Sequence, residues 1–169
     1  MAGSGTGLFL MNLQTTFCSY LLEDHFGIED DDKAAAILGQ IGLVGDCGSV
    51  SAEFLLGYVM DAIGRKWPAA IGLAISGAAF IAKPLPSHLY GLYILRVIGN
   101  IGVLPINYSP LSADYIYKED LGKLESMMAI VAYFSGLFST TVAIQVEKFF
   151  NAQVMYYASG TLAILVALV

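Results

Sequence analysis

Gly57-Tyr58-Val59-Met60-Asp61-Ala62-Ile63-Gly64-Arg65-Lys66 joins two long apolar runs, Ala34 to Met60 before it and Trp67 to Ala82 after it. Its chemistry is that of a hairpin at a membrane edge. Gly57 permits close helix approach, Asp61 sets an anion at the surface, Gly64 allows a tight reversal, and Arg65 and Lys66 anchor among headgroups. Paired charges are common at helix ends, so the charges alone also fit an ordinary solvated loop.

Outward from this hairpin the same pattern repeats. Apolar runs cover Gly5 to Leu22, Leu89 to Ser112, Leu124 to Val146 and Ala152 to Val169, which with the first two makes six. A span needs about 20 apolar residues, so six use roughly 120 and leave about 49 for ends and loops. The residues are 57% hydrophobic and 13% charged, whereas soluble domains run near about 45–50% and about 25%. The runs lack the alternation of a transmembrane barrel, and a backbone facing lipid must bond internally. The expected fold is therefore all-α: a polytopic membrane bundle of six transmembrane helices, with residues 1–169 forming one domain. The first and third runs are short of a full span; they extend into their flanks, or part of the first helix is absent.

The breaks between runs are chemically defined. Glu23 to Lys33 is too acidic for hydrocarbon and is expected to be a solvated loop. Lys83-Pro84-Leu85-Pro86-Ser87 stops the third run with a cation and two prolines. Tyr115 to Lys123 is another polar turn. Arg65, Lys66, Lys118 and Lys123 fall on one side and Lys33, Lys83 and Lys148 on the other, a near tie under the positive-inside rule. Met1-Ala2-Gly3-Ser4 carries no basic residue, which argues against a signal peptide. Cys18 and Cys47 both lie in apolar runs and form no disulfide framework. The net charge of -6 excludes a nucleic-acid module, and no stretch is long enough for a water-exposed catalytic domain, so an enzyme is not expected.

The hairpin's spacing adds more. Glycine, three residues, aspartate, two residues and Gly-Arg-Lys, between a second and a third transmembrane helix, resembles the signature loop of the major facilitator superfamily of secondary transporters. The resemblance implies a cytoplasmic loop. It also implies that Asp61 faces the amino end of a helix in the other half, and that Arg65 joins a charge network locking the outward-facing state. Gly57 and Gly64 would be the backbone positions of that gate. The family often has a basic residue after the aspartate; Ala62 here implies a thinner network.

Arg96-Val97-Ile98-Gly99-Asn100-Ile101-Gly102 resembles the arginine and spaced glycines of the family's fourth helix. Ala113-Asp114 followed by Gly122-Lys123 resembles the acid and basic turn after it, with Leu121-Gly122 where many members have Arg-Gly. Asp114 would then share the network of Arg65; read alone, it is a solvated acid at a helix end. Met127 to Thr141 holds only Gly136 and no proline, unlike the Gly-Pro signature of the family's drug/proton antiporters.

Ionisable groups inside a span are costly and usually face a cavity or a partner. Asp46 lies about 18 Å into the second run at 1.5 Å per residue, near the bilayer middle. Glu53 follows at i+7 on the same face, and Arg96 and Asn100 share a face of the fourth run. Asp46 or Glu53 is expected to be a protonatable coupling group, as in a symporter. Arg96 is expected either to bind an anionic substrate or to pair with Asp46; the structural alternative is a buried pair that orders the bundle. Pro105 should bend the fourth helix, and Gly99 and Gly102 let it approach a neighbour.

The family contains inverted repeats of three helices within each half. Gly7 to Leu13 reads like Gly91 to Val97, setting Asn12 opposite Arg96 and on the cavity side beside Gln14 and Thr15 or Thr16. Glu29 to Asp32 lacks the glycine and terminal glutamate of an EF-hand loop, so no metal is expected. No cofactor is expected either, and His25 and His88 read as interfacial residues.

The resemblance implies the amino-terminal six-helix half of a transporter that moves a small solute by alternating access, with Arg96 tilting the solute toward an anion. Its partners would be the bilayer, the solute and a second six-helix half, in the same longer chain or another subunit. The apolar run reaching Val169 with no opposite half fits a fragment, a pairing half, or a rival: a transport-inactive accessory subunit of a larger membrane complex that retains the fold. The sequence names neither the membrane nor the solute.

Overall fold

The computed structural model describes residues 16–28, 30–64, 66–107, 121–147 and 151–168. They are helical, with no strand among them. Residues 16–24 form α1, followed by α2 (Asp31–Ile63), α3 (Lys66–Ala82), α4 (Leu89–Asn107), α5 (Leu121–Glu147) and α6 (Ala152–Leu168). Among the described residues α2 is the helix both long and apolar enough to span a bilayer by length and composition; α3 and α6, at 17 residues each, are shorter apolar helices.

The acidic loop is shorter than its composition implies. Asp30 caps α2: its Oδ1 accepts the backbone N–H groups of Asp32 at 3.2 Å and Lys33 at 3.4 Å, and its Oδ2 pairs with Lys33 Nζ at 3.0 Å. Those bonds, the Lys33 side chain first, hold the Asp30 carboxyl below its ordinary range. Asp31 and Asp32 therefore belong to the first helical turn, where negative charge complements unpaired backbone N–H groups. At the other end Gly64 adopts φ 88° and donates its N–H to Met60 O at 3.0 Å, so the reversal expected at Gly64 is present and α3 begins two residues later.

The bundle is built around α3, which packs on α4 along one side and on α6 along the other; α2 packs on α4. Glycines set both crossings. A Cβ on Gly102 would lie 2.6 Å from Gly72 O, and one on Gly77 would lie 2.8 Å from Gly160 O, so the backbones touch where side chains are missing. The chain of α4 stays helical past Pro105 to Asn107, with the proline ring against Gly72. Phe17, Cys18, Leu21 and Leu22 of α1 complete a core with Ile41, Leu73, Phe80, Leu92, Tyr156 and Ala163. Leu43, Val50, Phe54 and Tyr58 of α2, and Met127, Ile130, Tyr133, Phe134 and Leu137 of α5, are exposed, as apolar faces meeting lipid or another helical unit must be.

The two cysteines differ sharply in access: Cys18 is buried and Cys47 exposed. In detergent, N-ethylmaleimide should modify Cys47 well before Cys18, and a Cys47→Ser chain should lose the fast phase. A fast phase surviving in that variant would place Cys18 outside the core.

Candidate functional site

The polar residues of the second and fourth runs meet across the α2–α4 seam because α2 offers backbone there. A Cβ on Gly45 would stand 2.7 Å from Arg96 Cγ and 2.8 Å from Asn100 Nδ2, and one on Gly48 would stand 2.7 Å from Val97 Cγ1. The two glycines thus let the α4 face carrying Arg96 and Asn100 lie against α2. Asn100 Nδ2 donates to Asp46 Oδ1 at 3.4 Å, a long bond, and the Arg96 charge interacts with the Asp46 carboxylate.

Sequence reasoning left Arg96 either to bind an anionic substrate or to pair with Asp46; the structure adds Asn100 as a group bonded to Asp46. Asn100 is 2% exposed and its Oδ1 accepts no hydrogen bond among the described residues, while Asp46 is exposed on its far side. The set therefore runs from a buried amide to a carboxylate at the surface of this bundle. Glu53 lies two turns further along α2 and is half-buried.

On the other flank of the seam, Tyr93 OH donates to Gln40 Oε1 at 3.0 Å beside a shallow groove lined by Ala36, Gly39, Leu43 and Val44. Neither Gln40 nor Tyr93 was identifiable from sequence, since a tyrosine and a glutamine 53 positions apart have no local signal of pairing. The bond is exposed, so Tyr93→Phe is expected to cost no more than about 0.5–1.5 kcal/mol, the net value of an ordinary hydrogen bond. Thermal melts would check this; a larger loss would mean that the groove is a packed interface.

The residues that the resemblance assigned to a gate are less tightly placed by the described helices. Gly57 was expected to permit close helix approach, but a Cβ there would meet nothing within 4 Å. Among the described residues no helix crosses at that point, so the glycine is not required by the packing described. Asp61 is exposed in the last turn of α2. Arg65, Asp114 and Asn12, with Gln14 and Thr15, lie outside the described residues.

Lys83 was read as a cation that helps to stop the third run, and it directly follows the last residue of α3. What the sequence did not reveal is its burial: it is 2% exposed, with Nζ 5.0 Å from the Phe80 ring centre and 5.6 Å from that of Tyr156. The physical reason is that α1 and α6 cover the end of α3, enclosing the first residue beyond it. Nearby, His25 Nε2 lies 3.2 Å from Pro86 O and ties the α1–α2 connection to the α3–α4 connection.

Comparison with known proteins bears on what this arrangement serves. Synaptic vesicle glycoprotein 2B of Rattus norvegicus is 29% identical over 109 residues, covering 62% of this chain. The protein of the same name from Mus musculus matches equally, and that from Homo sapiens is 28% identical over the same length. The match spans 16% of the length of each of these relatives. No solved structure matches. Residues 3–169 match the Major Facilitator Superfamily pattern, nearly the whole sequence, so the chain belongs to that superfamily and is an integral membrane protein.

Proposed function

We propose that this chain is a six-helix half of a secondary transporter, moving a small solute across a bilayer by alternating access. The observation that carries this reading is the Asp46–Asn100–Arg96 set, drawn together over Gly45 and open to the outside of the half on the Asp46 side. A guanidinium, a carboxamide and a carboxylate within a hydrophobic bundle supply a cation for an anionic solute and a group able to take a proton. In this reading Arg96 and Asn100 engage the solute, with Asn12 lining the same cavity, and Asp46 or Glu53 carries the coupling proton. Gly57, Asp61, Gly64, Arg65 and Asp114 then form the cytoplasmic gate that closes against a second six-helix half. The open space at Gly57 supports this, because it leaves the glycine available to a helix from that other half.

The test is uptake by proteoliposomes containing the chain together with its second half, offered small organic anions, cations and neutral solutes under an imposed proton gradient. Anion uptake that rises with external acidity and vanishes in Arg96→Met is the expected result. No uptake of any solute, with co-purification in a larger complex at fixed stoichiometry, would establish the accessory-subunit reading instead.

A further inference from the structure

The connection between α1 and α2 and the one between α3 and α4 meet at one end of the bundle through His25 and Pro86, 61 positions apart in sequence. Both sides of the meeting are held independently of the bond between them. On the α1 side, Gly27 at φ 63° donates its N–H to Glu23 O at 3.1 Å and Ile28 donates to Leu22 O at 3.2 Å, which closes the helix end. Phe26 and Ile28 pack against the core, and the Phe26 ring stands edge-on to the imidazole, 5.0 Å away at 87°. Those contacts fix where the His25 ring points. On the other side two prolines restrict the backbone, and Pro84 is buried. The Pro86 ring rests on Gly91 of α4, where any side chain would collide with it, and the Gly91 N–H donates to His88 O at 3.0 Å.

Pro86 O can only accept, so the bond assigns the ring hydrogen of His25 to Nε2. At 3.2 Å and exposed, a bond of this kind adds little to total stability. Its effect is local. Connections open at a far lower free energy than the core does, so one bond that joins two of them changes the opening of both by the same factor. We propose that His25 is a clasp: its Nε2–H bond to Pro86 O makes the α1–α2 and α3–α4 connections open and close as one unit. Four helix ends are gathered by it, because α2 begins at Asp31, shortly after His25, and α4 at Leu89, shortly after Pro86. The close crossings at Gly72–Gly102 and Gly77–Gly160 lie elsewhere on the bundle and do not depend on it. The clasp needs neither a solute nor a second half, so it stands or falls apart from the transport reading.

The experiment is residue-resolved amide exchange of the full chain in detergent micelles. Gly27 and Ile28 report on one connection and Leu85 and Gly91 on the other, each through a hydrogen bond that its own N–H donates. His25 is exposed, so its variants should fold. In His25→Ala all four amides should exchange faster by a common factor of about two to ten, the equilibrium value of one ordinary hydrogen bond. Gly77 and Gly160, at the α3–α6 crossing, should keep their rates. His25→Gln, whose amide nitrogen reaches as far as Nε2, should restore slow exchange, whereas His25→Asn, whose nitrogen stops at the place of Nδ1, should behave as the alanine variant does. Spectra of isotope-labelled histidine should find the ring hydrogen on Nε2. Faster exchange confined to Gly27 and Ile28 would overturn the proposal. So would equal protection by His25→Gln and His25→Asn, or a His25 ring hydrogen on Nδ1 alone.

Discussion

A Gly102→Val chain is expected to lose most of its folded protein, while Gly57→Ala leaves folding intact or slightly improved. The difference follows from what each new side chain meets. At Gly102 even the first carbon would lie 2.6 Å from Gly72 O, 2.8 Å from the Ser76 backbone nitrogen and 3.1 Å from Ser76 Cβ. Two of those atoms belong to the α3 backbone, which cannot rotate aside as a flexible side chain could, and valine adds two further methyls. Overpacking of a dense core costs about 1–3 kcal/mol and occasionally more. Here the crossing as a whole must widen, so the upper end applies, a large share of a total stability of about 5–15 kcal/mol.

Widening would also propagate. The opposite side of α3 is fixed by the equally close Gly77–Gly160 crossing, so α3 has little room to retreat from α4. At Gly57 the added methyl meets nothing, and glycine in a helix interior is about 0.5–1 kcal/mol worse than alanine. Thermal midpoints and monodisperse yield in detergent would compare the two. Equal tolerance would show that α3 and α4 do not cross at Gly72 and Gly102. A transport defect in Gly57→Ala with normal folding would place a helix of the second half against that position.

What could be read from the sequence divides along a physical line. Features fixed by a residue's own backbone or its immediate neighbours were legible. Gly64 turns the chain because a positive φ suits glycine, and the limits of α3 and α6 fall within a residue of the limits of their apolar runs. The α2 start was misjudged by three residues because Asp31 and Asp32 look like loop residues in composition, although charge of that sign is welcome at a helix start.

Features that depend on which helices become neighbours were not legible. The fate of Lys83 is decided by Phe17 and Cys18 on one side and Tyr156 on the other, residues remote in sequence that close over the end of α3. Likewise the i+7 and i+4 spacings correctly put Asp46 with Glu53 on one helix face and Arg96 with Asn100 on another. Which of the latter bonds Asp46 is set by the register of α4 on α2, and that register is fixed by Gly45 and Gly48, two positions that carry no chemistry of their own.

That register makes separable expectations for Asp46 and Asn100. Asp46→Asn keeps the shape of the side chain and can still accept from Asn100 Nδ2, so folding should be nearly unchanged, the more so because Asp46 is exposed on one side. It removes the negative charge that Arg96 feels. If Asp46 carries the coupling proton, uptake in this variant becomes independent of external pH, while exchange of solute between the two faces, which needs no net proton movement, continues. Asn100→Leu acts differently. It deletes the donor to Asp46, and the variant should retain its pH dependence but bind solute more weakly. A hydrogen bond to a charged group is worth about 1.5–3 kcal/mol, or about ten- to hundredfold in apparent affinity.

Glu53→Gln, two turns away and half-buried, serves as the matched control for a carboxylate on the same face. Uptake measured against pH in the three variants sorts the roles. Loss of pH dependence in Asp46→Asn alone assigns coupling to Asp46, and loss in Glu53→Gln alone moves it down the helix. Unchanged pH dependence in both would remove these carboxylates from the coupling path and leave the Asp46–Asn100–Arg96 set as an arrangement that orders the α2–α4 seam.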